Sequence, residues 1–329
     1  MNFSPTQVGD SMLEIDTPAL MVDLGAFERN LQKLAAFSNS VGIRLRPHAK
    51  THRCPTIALK QIECGAIGQC CQKVSEAEVL VRGGVRDVLL SNEVLDSRKL
   101  RRLADLAKIA RISLCFDALE QVAAASTAAQ EFGVELGALV EIEVGMRRCG
   151  VAAGQAAAVL AKQIDAAPGL KFLGLQAYEG RAQHLVDYTE RAKAIENAAA
   201  AVRLSKDAIE REGLRCEVIA GGGTGTFMFE GRSRLWTELQ CGSYIFMDGE
   251  YAGLKGSRGE PYQEFEQSLF VLTTVMSVAG AGRAILDAGL KSYTLEKGLP
   301  TIHGPNVGRL VGASDEHGTV VLAPGASLP

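Results

Sequence analysis

The feature that most constrains the fold is a regular alternation of short apolar runs with longer helix-like runs. The apolar runs have the length and composition of buried strands. They fall at residues 43–48, 67–71, 88–91, 112–116, 136–144, 172–178, 216–220 and 239–246. Helix-like stretches follow most of them, at 56–63, 75–81, 97–106, 119–131, 153–164 and 187–211. Such alternation is typical of a parallel sheet, and eight units favour a closed (β/α)8 barrel over an open sheet.

The pattern changes near both ends of the chain. A strand at 19–23 and a helix at 25–38 precede the alternation, and after about Asp248 the helical pattern is lost. The segment 265–329 has strand-like runs without a long helix, so we expect a β-rich second domain whose first strand pairs with strand 19–23. The predicted domains are a barrel over 20–248 and a β-rich domain over 1–19 plus 249–329.

Composition excludes several classes of protein. Of the 329 residues, 47% are hydrophobic, enough to bury the core of a barrel and a smaller domain. A net charge of -3 gives no general attraction to nucleic acid or anionic membranes, and no apolar run approaches the roughly 18 residues of a membrane span. The first residues lack the basic and apolar regions of a secretory signal. The eight cysteines form no CxxC pair, which predicts reduced thiols and a cytoplasmic location.

Polar residues gather where the predicted barrel strands end, which is where barrels carry their chemistry. In chain order the strand ends carry Lys50, Gln72, Ser91 to Glu93, Asp117, Arg148, Tyr178, the loop 221–225, and Gln240 to Ser243. One rim therefore collects a lysine, an arginine, a tyrosine, two glutamines and two loops of small residues. That set suits an anionic, ring-shaped ligand.

The glycine-rich loop at 221–225 follows a predicted strand, so its backbone N–H groups can converge on an anion. It matches neither GxGxxG nor GxxxxGK[ST], so the nucleotide-binding motifs do not apply. A plain tight turn is the alternative for this loop alone. With Gly242 and Ser243 on the neighbouring strand, phosphate binding is the better interpretation, as in the phosphate site after the last two strands of many barrels.

Three side chains on the rim are candidates for catalysis. A lysine desolvated at a strand end has a lowered pKa, and its neutral amine can form a Schiff base, which makes Lys50 a candidate alongside Lys73 and Lys291. An arginine such as Arg148 is a permanent cation that can hold a phenolate or carboxylate. Tyr178 offers a flat face and a hydroxyl, although a structural role in the core is an equal alternative.

These residues lie in motifs that resemble the D-threonine aldolase and 3-hydroxy-D-aspartate aldolase group. The motifs are DTPALMVDLGAFERNL, LRPHAKTHRCP, CCQKVSEAE, VEIEVGMRRCGV, LQAYEG, GGGTGT and TELQCGSYIFMDGEY, and the likeness runs from about Asp16 to His317. That group is related to eukaryotic-type D-serine dehydratases among pyridoxal-phosphate enzymes of the alanine-racemase-like fold. The resemblance implies an alanine-racemase-type barrel with a second domain, pyridoxal 5'-phosphate as cofactor, and a homodimer.

The resemblance also implies roles for individual residues. The PHAK motif makes Lys50 the Schiff-base lysine, GMxRxG selects Arg148 over Arg147 near the cofactor's phenolic oxygen, and QAY sets Tyr178 beside the ring. The matching cofactor contacts are Gln72, Gly222, Gly223, Thr224, Gly242 and Ser243, with Gln240 at the position that meets the pyridine nitrogen. A neutral partner there implies a weaker electron sink than an aspartate would give.

The metal site of this group is not matched. Its members carry a divalent-metal motif, His-x-Asp or His-x-Cys, near the C-terminus, so the resemblance implies manganese or magnesium. This chain ends at Pro329, before that motif is due, and we expect an end that is shortened relative to the family. We assign no metal ligand, because His48 and His52 flank a strand end and Asp315 to His317 are better explained as a solvated turn.

The resemblance predicts retro-aldol cleavage of a D-3-hydroxy amino acid to glycine and an aldehyde. The alternatives are a D-serine or 3-hydroxyaspartate dehydratase, a racemase, which needs two opposed bases, and a non-catalytic carrier of the cofactor. Small carriers of this fold lack a second domain, and the segment 265–329 is present here. The particular substrate and the general base stay open.

Overall fold

The computed structural model describes residues 6–278, 280, 282–304 and 306–326. The chain divides into two compact units, one of residues 28–245 and 253–265 and the other of residues 1–27, 246–252 and 266–329. The domain boundaries predicted above stay a prediction. Parts of the predicted second domain, at 1–5, 279, 281, 305 and 327–329, lie outside the described residues.

The elements are as follows. The strands are β1 Ala19–Val22, β2 Arg44–Leu45, β3 Gln69–Cys71, β4 Asp87–Leu90, β5 Arg111–Phe116, β6 Leu136–Glu141, β7 Leu170–Gln176, β8 Val218–Gly221, β9 Glu238–Leu239, β10 Leu269–Leu272, β11 Val275–Ser277, β12 Arg283–Leu286, β13 Gly308–Ala313 and β14 Gly318–Leu322. The α-helices are α1 Leu24–Val41, α2 Pro55–Glu63, α3 Val74–Arg82, α4 Ser97–Leu106, α5 Leu119–Phe132, α6 Gln155–Asp165, α7 Tyr188–Arg211, α8 Phe227–Arg232 and α9 Gly249–Ala252.

The larger unit is a closed parallel barrel. Strands β3 to β9 pair in sequence order, and β2 pairs with β9 at the other edge. A parallel bridge between His48 and Cys70 joins the end of β2 to β3, so the ring of eight strands closes. Helices between the strands bury small and apolar residues against the ring. The predicted (β/α)8 barrel is confirmed.

Several barrel strands are shorter than predicted. Strand β2 covers only Arg44–Leu45 because the chain reaches Pro47, which has no N–H to donate, and then turns at His48. Strand β9 covers only Glu238–Leu239, and the apolar residues after it enter a 3-10 turn at Ser243–Ile245. Tyr244 and Ile245 are nevertheless buried. The apolar run at 239–246 therefore reflects burial of a turn as well as of a strand.

The interior of the barrel is filled by small and medium side chains. Its central cluster consists of Cys70, Leu89, Cys115, Leu139 and Ala220, all buried. They come from β3, β4, β5, β6 and β8, so inward-pointing residues of different strands meet at the barrel axis. All eight cysteines are free thiols, which agrees with the predicted absence of disulfides.

A buried ionic network lies where β4 and β9 begin. The Nε atom of Arg46 donates to Glu238 Oε2 over 2.7 Å, and its Nη1 atom contacts Asp87 Oδ1 over 2.5 Å. Arg46 and Glu238 are 7% and 1% exposed, so the pair is desolvated. This network ties strands that are not neighbours in sequence.

The smaller unit contains antiparallel sheet. Strand β1 pairs with β10, with Ala19 opposite Leu272, which confirms the expected pairing of the early strand with the C-terminal segment. A four-stranded sheet in the order β11-β12-β14-β13 packs around Ala284, Leu310 and Val320. In the part of the chain that the structure describes, no helix has the length and apolarity needed to cross a membrane.

Candidate active site

Lys50 lies five residues after the end of β2, on a 3-10 turn at Ala49–Thr51 that begins at His48. The residue reaches solvent, yet burial of its amine lowers the Lys50 pKa below 10.5, and the nearby positive charge of Arg148 lowers it further. Its Nζ atom lies 5.8 Å from the centroid of the Tyr178 ring. The structure therefore brings Lys50 close to Tyr178, and the positive charge of Arg148 acts on the Lys50 amine. These are the three residues identified as catalytic candidates from the sequence.

His48 fixes the backbone of the lysine turn. Its Nδ1 atom accepts the backbone N–H of Lys50 over 3.3 Å, and its Nε2 atom lies 3.0 Å from Gln72 Nε2 and 3.3 Å from Ser91 Oγ. Burial lowers the pKa of His48 well below 6.5, and the charge of Lys50 adds to this, so the ring is neutral. Sequence reasoning considered this histidine only as a metal ligand and missed its role in the turn.

Gln72 lies between β3 and α3 and faces the same histidine. Its amide nitrogen donates to the Ser91 carbonyl over 3.0 Å and lies 3.1 Å from Ser91 Oγ. The predicted cofactor contact is therefore part of a hydrogen-bonded group with His48 and Ser91. The competitors of Lys50 lie elsewhere: Lys73 is exposed at the start of α3, and Lys291 pairs with Glu316 over 3.0 Å in the smaller unit.

Arg148 follows β6 and contacts the last residue of that strand. Its Nη2 atom lies 3.6 Å from Glu141 Oε1, and the arginine side chain is 41% exposed. Its charge lowers the pKa of Lys50 and His48. The neighbouring Arg147 is exposed, with its backbone at a φ of 53°. The structure therefore gives Arg148, and not Arg147, the electrostatic contact with the lysine.

The glycine loop after β8 is built for close approach to its backbone. Gly222 has a φ of +77°, and a Cβ there would lie 2.8 Å from Leu239 Cδ2. A Cβ on Gly223 would lie 2.4 Å from Gln183 Cδ. Thr224 is 1% exposed, and its hydroxyl oxygen is buried without a hydrogen-bond partner. A buried hydroxyl without a hydrogen-bond partner beside such a loop is expected where the phosphate of a ligand is the acceptor.

Side chains behind the loop hold it in place. Gln183 accepts the Gly225 N–H over 2.8 Å and donates to Thr226 Oγ1 over 2.9 Å. The Tyr262 hydroxyl donates to the Thr224 carbonyl over 2.5 Å. Burial raises the pKa of Glu230, which accepts from Thr226 Oγ1, to about 8, which favours the uncharged carboxyl. An uncharged carboxyl near an anion site avoids repulsion.

The loop after β9 meets the lysine turn. A Cβ on Gly242 would lie 2.5 Å from Thr51 Oγ1 and 2.9 Å from the His48 carbonyl oxygen. Only glycine therefore allows Gly242 and Ser243 to pass this close to the turn that carries Lys50. The two small-residue loops and the lysine belong to one end of the barrel, as the sequence predicted.

Gln240 is held in a reciprocal amide pair with Gln176. Gln176 Nε2 donates to Gln240 Oε1 over 2.8 Å, and Gln240 Nε2 donates back over 2.9 Å. Both side chains are buried. The Gln240 amide is therefore committed to Gln176, and it also lies beside the Cys70 thiol in the barrel interior.

These residues fit pyridoxal phosphate. The glycine loop, together with the unpaired Thr224 hydroxyl, suits the phosphate, and the amine of Lys50, with its lowered pKa, suits the aldehyde. Arg148 suits an anionic ring oxygen. The hydrogen-bond donors, the amine and the positive charge of these residues make the site suitable for this cofactor.

Among the described residues, one group of candidate metal-binding side chains has its ligand atoms within 4.8 Å of one another: Glu93, Glu141 and Cys149. Arg148 already contacts Glu141 in this group. A His-x-Cys sequence that the sequence analysis overlooked occurs at His52 and Cys54, where His52 Nδ1 accepts the Cys54 N–H over 3.0 Å.

The predicted solvated turn at Asp315 to His317 is exposed between β13 and β14. Sequence reasoning missed Glu141, although a carboxyl at the end of an apolar strand was an available signal. Glu230 was missed as well. It lies on the short helix α8, which has no clear sequence pattern.

Known proteins are similar to this chain in sequence and architecture. The chain matches the family described as alanine racemase, N-terminal domain, over residues 22–250, and the putative serine dehydratase domain over residues 268–329. It is 44% identical to a D-threonine aldolase of Arthrobacter sp. over 99% of this chain and 85% of that protein. It is 43% identical to the 3-hydroxy-D-aspartate aldolase of Paracoccus denitrificans (strain Pd 1222) over 96% of this chain and 83% of that protein.

A solved structure and a more distant relative complete the comparison. The D-threonine aldolase of Filomicrobium marinum has a TM-score of 0.95 and 44% identity, with coverage of 99% of this chain and 88% of that chain. A D-threo-3-hydroxyaspartate dehydratase of Delftia sp. is 28% identical over 97% of this chain and 87% of that protein. The aldolases are therefore much closer in sequence than this dehydratase.

Proposed function

Because the chain belongs to the alanine racemase N-terminal domain family, and within it to the group of D-threonine aldolase and 3-hydroxy-D-aspartate aldolase, we propose that it is a pyridoxal-phosphate-dependent carbon–carbon lyase. It cleaves D-3-hydroxy amino acids to glycine and an aldehyde. The observation that carries the proposal is Lys50, an amine of lowered pKa that lies 5.8 Å from the Tyr178 ring at the glycine-loop end of the barrel.

The residues divide the work of holding the cofactor. Lys50 provides the amine that would join the aldehyde of the cofactor, and the lowering of its pKa by burial and by Arg148 favours the reactive, uncharged form. The amides of Gly222 and Gly223, the Thr224 hydroxyl, Gly242 and Ser243 would bind the phosphate. Arg148 would hold the phenolic oxygen in its anionic form.

Other residues orient the ring. Tyr178 would pack beside it, Gln72 would contact it, and Gln240 would give the pyridine nitrogen an uncharged partner. When bound, pyridoxal phosphate supplies an electron sink for the pair of electrons left on Cα as the Cα–Cβ bond breaks. The protein controls which bond breaks through the orientation in which these side chains hold the substrate.

The reaction balances with one proton lost and one proton gained. The β-hydroxyl loses its proton as its carbon becomes the aldehyde carbonyl, and Cα gains a proton to give glycine. By resemblance the base for the hydroxyl is tied to a manganese or magnesium site, for which we assign no ligand in this chain. A homodimer and a cytoplasmic location remain part of the proposal.

The cofactor test uses the protein as purified and after addition of pyridoxal phosphate. We expect visible absorbance and, after borohydride reduction, a cofactor-modified peptide that contains Lys50. Lys50→Ala should lose both the modified peptide and activity, the latter by orders of magnitude. Lys73→Ala and Lys291→Ala are matched controls that keep both. A colourless protein, or a reduced adduct that persists in Lys50→Ala, contradicts the proposal.

The product test separates the reactions. The protein is incubated with D-threonine, D-3-hydroxyaspartate and D-serine, each with and without manganese or magnesium. Glycine with an aldehyde or glyoxylate supports the aldolase, whereas a 2-oxo acid with ammonia assigns the chain to the dehydratases. Cofactor binding without turnover under every condition supports a carrier.

A further inference from the structure

A short segment of chain joins the barrel unit after the last barrel strand has ended. Residues 246–252 belong to the smaller unit, whereas residues 253–265, which we name the strap, belong to the larger unit. Leu254, Tyr262 and Phe265 of the strap are buried. The proposed function gives this segment no task, although it lies in the same unit as the candidate active site.

The strap folds back on itself. An antiparallel bridge joins Lys255 to Pro261, and the N–H of Tyr262 donates to the Leu254 carbonyl over 2.9 Å. Backbone hydrogen bonds of this kind fix the two arms of a turn relative to each other. The Tyr262 side chain is therefore carried by an arm whose backbone is held in place by the other arm.

A buried arginine anchors the first arm of the strap to the barrel. Arg191 on α7 is 0% exposed, and its Nη2 atom donates to the Lys255 carbonyl over 2.6 Å. Its Nη1 atom donates to the carbonyls of Leu185 and Val186 over 2.9 and 2.8 Å. The N–H of Lys255 also donates to the Val186 carbonyl over 3.0 Å. These four hydrogen bonds fix the strap on the chain that leads into α7.

The second arm of the strap contacts the glycine loop after β8. The Tyr262 hydroxyl donates to the Thr224 carbonyl, and the N–H of Gly225 in the same peptide group donates to Gln183 Oε1 over 2.8 Å. This peptide group is therefore held at both its oxygen and its N–H. A fixed peptide group also fixes the position of the Thr224 hydroxyl, which is buried and has no hydrogen-bond partner among the described residues.

The last residue of the strap packs against chain that adjoins both small-residue loops. The centroid of the Phe265 ring lies 5.3 Å from that of Phe227, the first residue of α8, which follows the glycine loop. It lies 5.5 Å from the ring centroid of Tyr244, which directly follows Ser243. Aromatic rings at such separations pack favourably. One side chain therefore supports the ends of both loops that are proposed to bind phosphate.

We propose that the strap positions the two small-residue loops to bind one phosphate group, with Tyr262 and Phe265 as its positioning residues. The inference rests on the proposed binding of pyridoxal phosphate. Tyr262 acts through Thr224, and Phe265 acts through Phe227 and Tyr244, so neither residue needs to touch the phosphate. Loss of these contacts affects the phosphate group more than the rest of the cofactor, because the amine and the ring contacts lie on other elements.

The first test compares two ligands in protein freed of cofactor. Absorbance titrations measure the affinities for pyridoxal phosphate and for pyridoxal, which lacks the phosphate. We expect Tyr262→Phe to bind pyridoxal phosphate about 3- to 10-fold more weakly and pyridoxal as the wild type does. Tyr293→Phe is the matched control, because the Tyr293 hydroxyl donates to the Ala288 carbonyl over 3.2 Å in the smaller unit, and it should keep both affinities. Equal losses for the two ligands in Tyr262→Phe, or no loss for either, would overturn the proposal.

The second test needs no cofactor. Hydrogen exchange, read by mass spectrometry, should be several-fold faster at residues 221–227 in Tyr262→Phe and at both 221–227 and 241–246 in Phe265→Leu, with no change in Tyr293→Phe. Unchanged exchange in both strap variants, or faster exchange throughout the barrel, would contradict a positioning role. A wild-type protein that does not bind pyridoxal phosphate would overturn the proposed function, whereas the exchange result would still decide whether the strap holds the loops.

Discussion

At the scale of the residue, Gly222 shows how one backbone position prepares the phosphate loop. Its φ of +77° suits glycine, and the space where a Cβ would lie is taken by Leu239 at 2.8 Å and by Glu230 Cδ at 3.5 Å. Any larger residue must both adopt the left-handed conformation and displace the Leu239 and Glu230 side chains that pack against the loop. Stability and phosphate binding are therefore coupled at this residue.

Gly222→Ala and Gly213→Ala separate these two effects. Gly213 also has a positive φ, +84°, but a Cβ there meets nothing within 4 Å. We expect Gly213→Ala to lower the free energy of unfolding by about 1–2 kcal/mol through backbone strain alone. Gly222→Ala should lose about 1–3 kcal/mol more through overpacking and should bind pyridoxal phosphate more weakly. Denaturant titration and cofactor titration check this, and equal losses with unchanged cofactor affinity would refute it.

Site residues whose role follows from residue type and position along the chain were predictable from the sequence. Those whose role depends on neighbours in the folded structure were not. Lys50 and the glycine loop were predictable because a strand end and a run of glycines are local signals. Glu141 and Glu230 were not predicted as site residues. Their raised pKa values arise from burial and, for Glu141, from contact with Glu93, which is distant in sequence.

At the scale of the element, short parallel strands are held together by more than the hydrogen bonds between their backbones. Strands β2 and β9 are only two residues long, and the Arg46 network spans the region where they and β4 lie close. A buried ion pair is costly to break, because the partner that remains is charged and desolvated. The network should therefore matter to stability and not to chemistry.

Arg46→Met tests the network. It leaves Glu238, 1% exposed, with only the exposed Arg44 at 3.4 Å, and we expect the free energy of unfolding to fall by about 3–5 kcal/mol. Arg101→Met breaks the surface pair with Glu131 and should lower the free energy of unfolding far less, because water screens an exposed pair. Activity per folded molecule should be kept in both variants. Equal stability losses, or a folded but inactive Arg46→Met, would argue against a structural role for the network.

The order and type of the elements were largely predictable, and their ends were not. Periodicity identified the barrel strands, but it extended the last one over 239–246, whereas in the structure the strand ends at Leu239 and a buried turn follows. Apolar residues signal burial, and burial is shared by strands and by turns packed on a barrel end. The helix α8 was missed because six residues are too few to show a helical period.

At the scale of the whole molecule, the smaller unit exposes apolar side chains that suggest a further contact. Leu20 on β1 is 72% exposed, Met276 on β11 is 55% exposed, and Val278 just after β11 is 59% exposed. Leu20 and Met276 lie on two separate sheets of this unit. They are residues at which the proposed homodimer can be tested.

Sedimentation equilibrium at micromolar concentration checks the homodimer. We expect a mass of twice 35.0 kDa for the protein with its cofactor. Leu20→Asp should shift the mass towards the monomer, because it places a charge on an apolar surface. Val159→Asp changes a similarly apolar residue, 49% exposed on the barrel helix α6, and should leave the mass unchanged. A monomer in the wild type would contradict the proposal.

The pairing of β1 with β10 has a consequence for how the protein is made. Residues 19–22 leave the ribosome before the barrel, whereas their partners at 269–272 are added after it. At about 5–20 residues per second, translation of the intervening segment lasts on the order of ten to fifty seconds. The nascent chain therefore carries an unpaired strand, with Leu20 and Val22 on it, while the barrel strands become available to fold. The smaller unit is begun first and finished last.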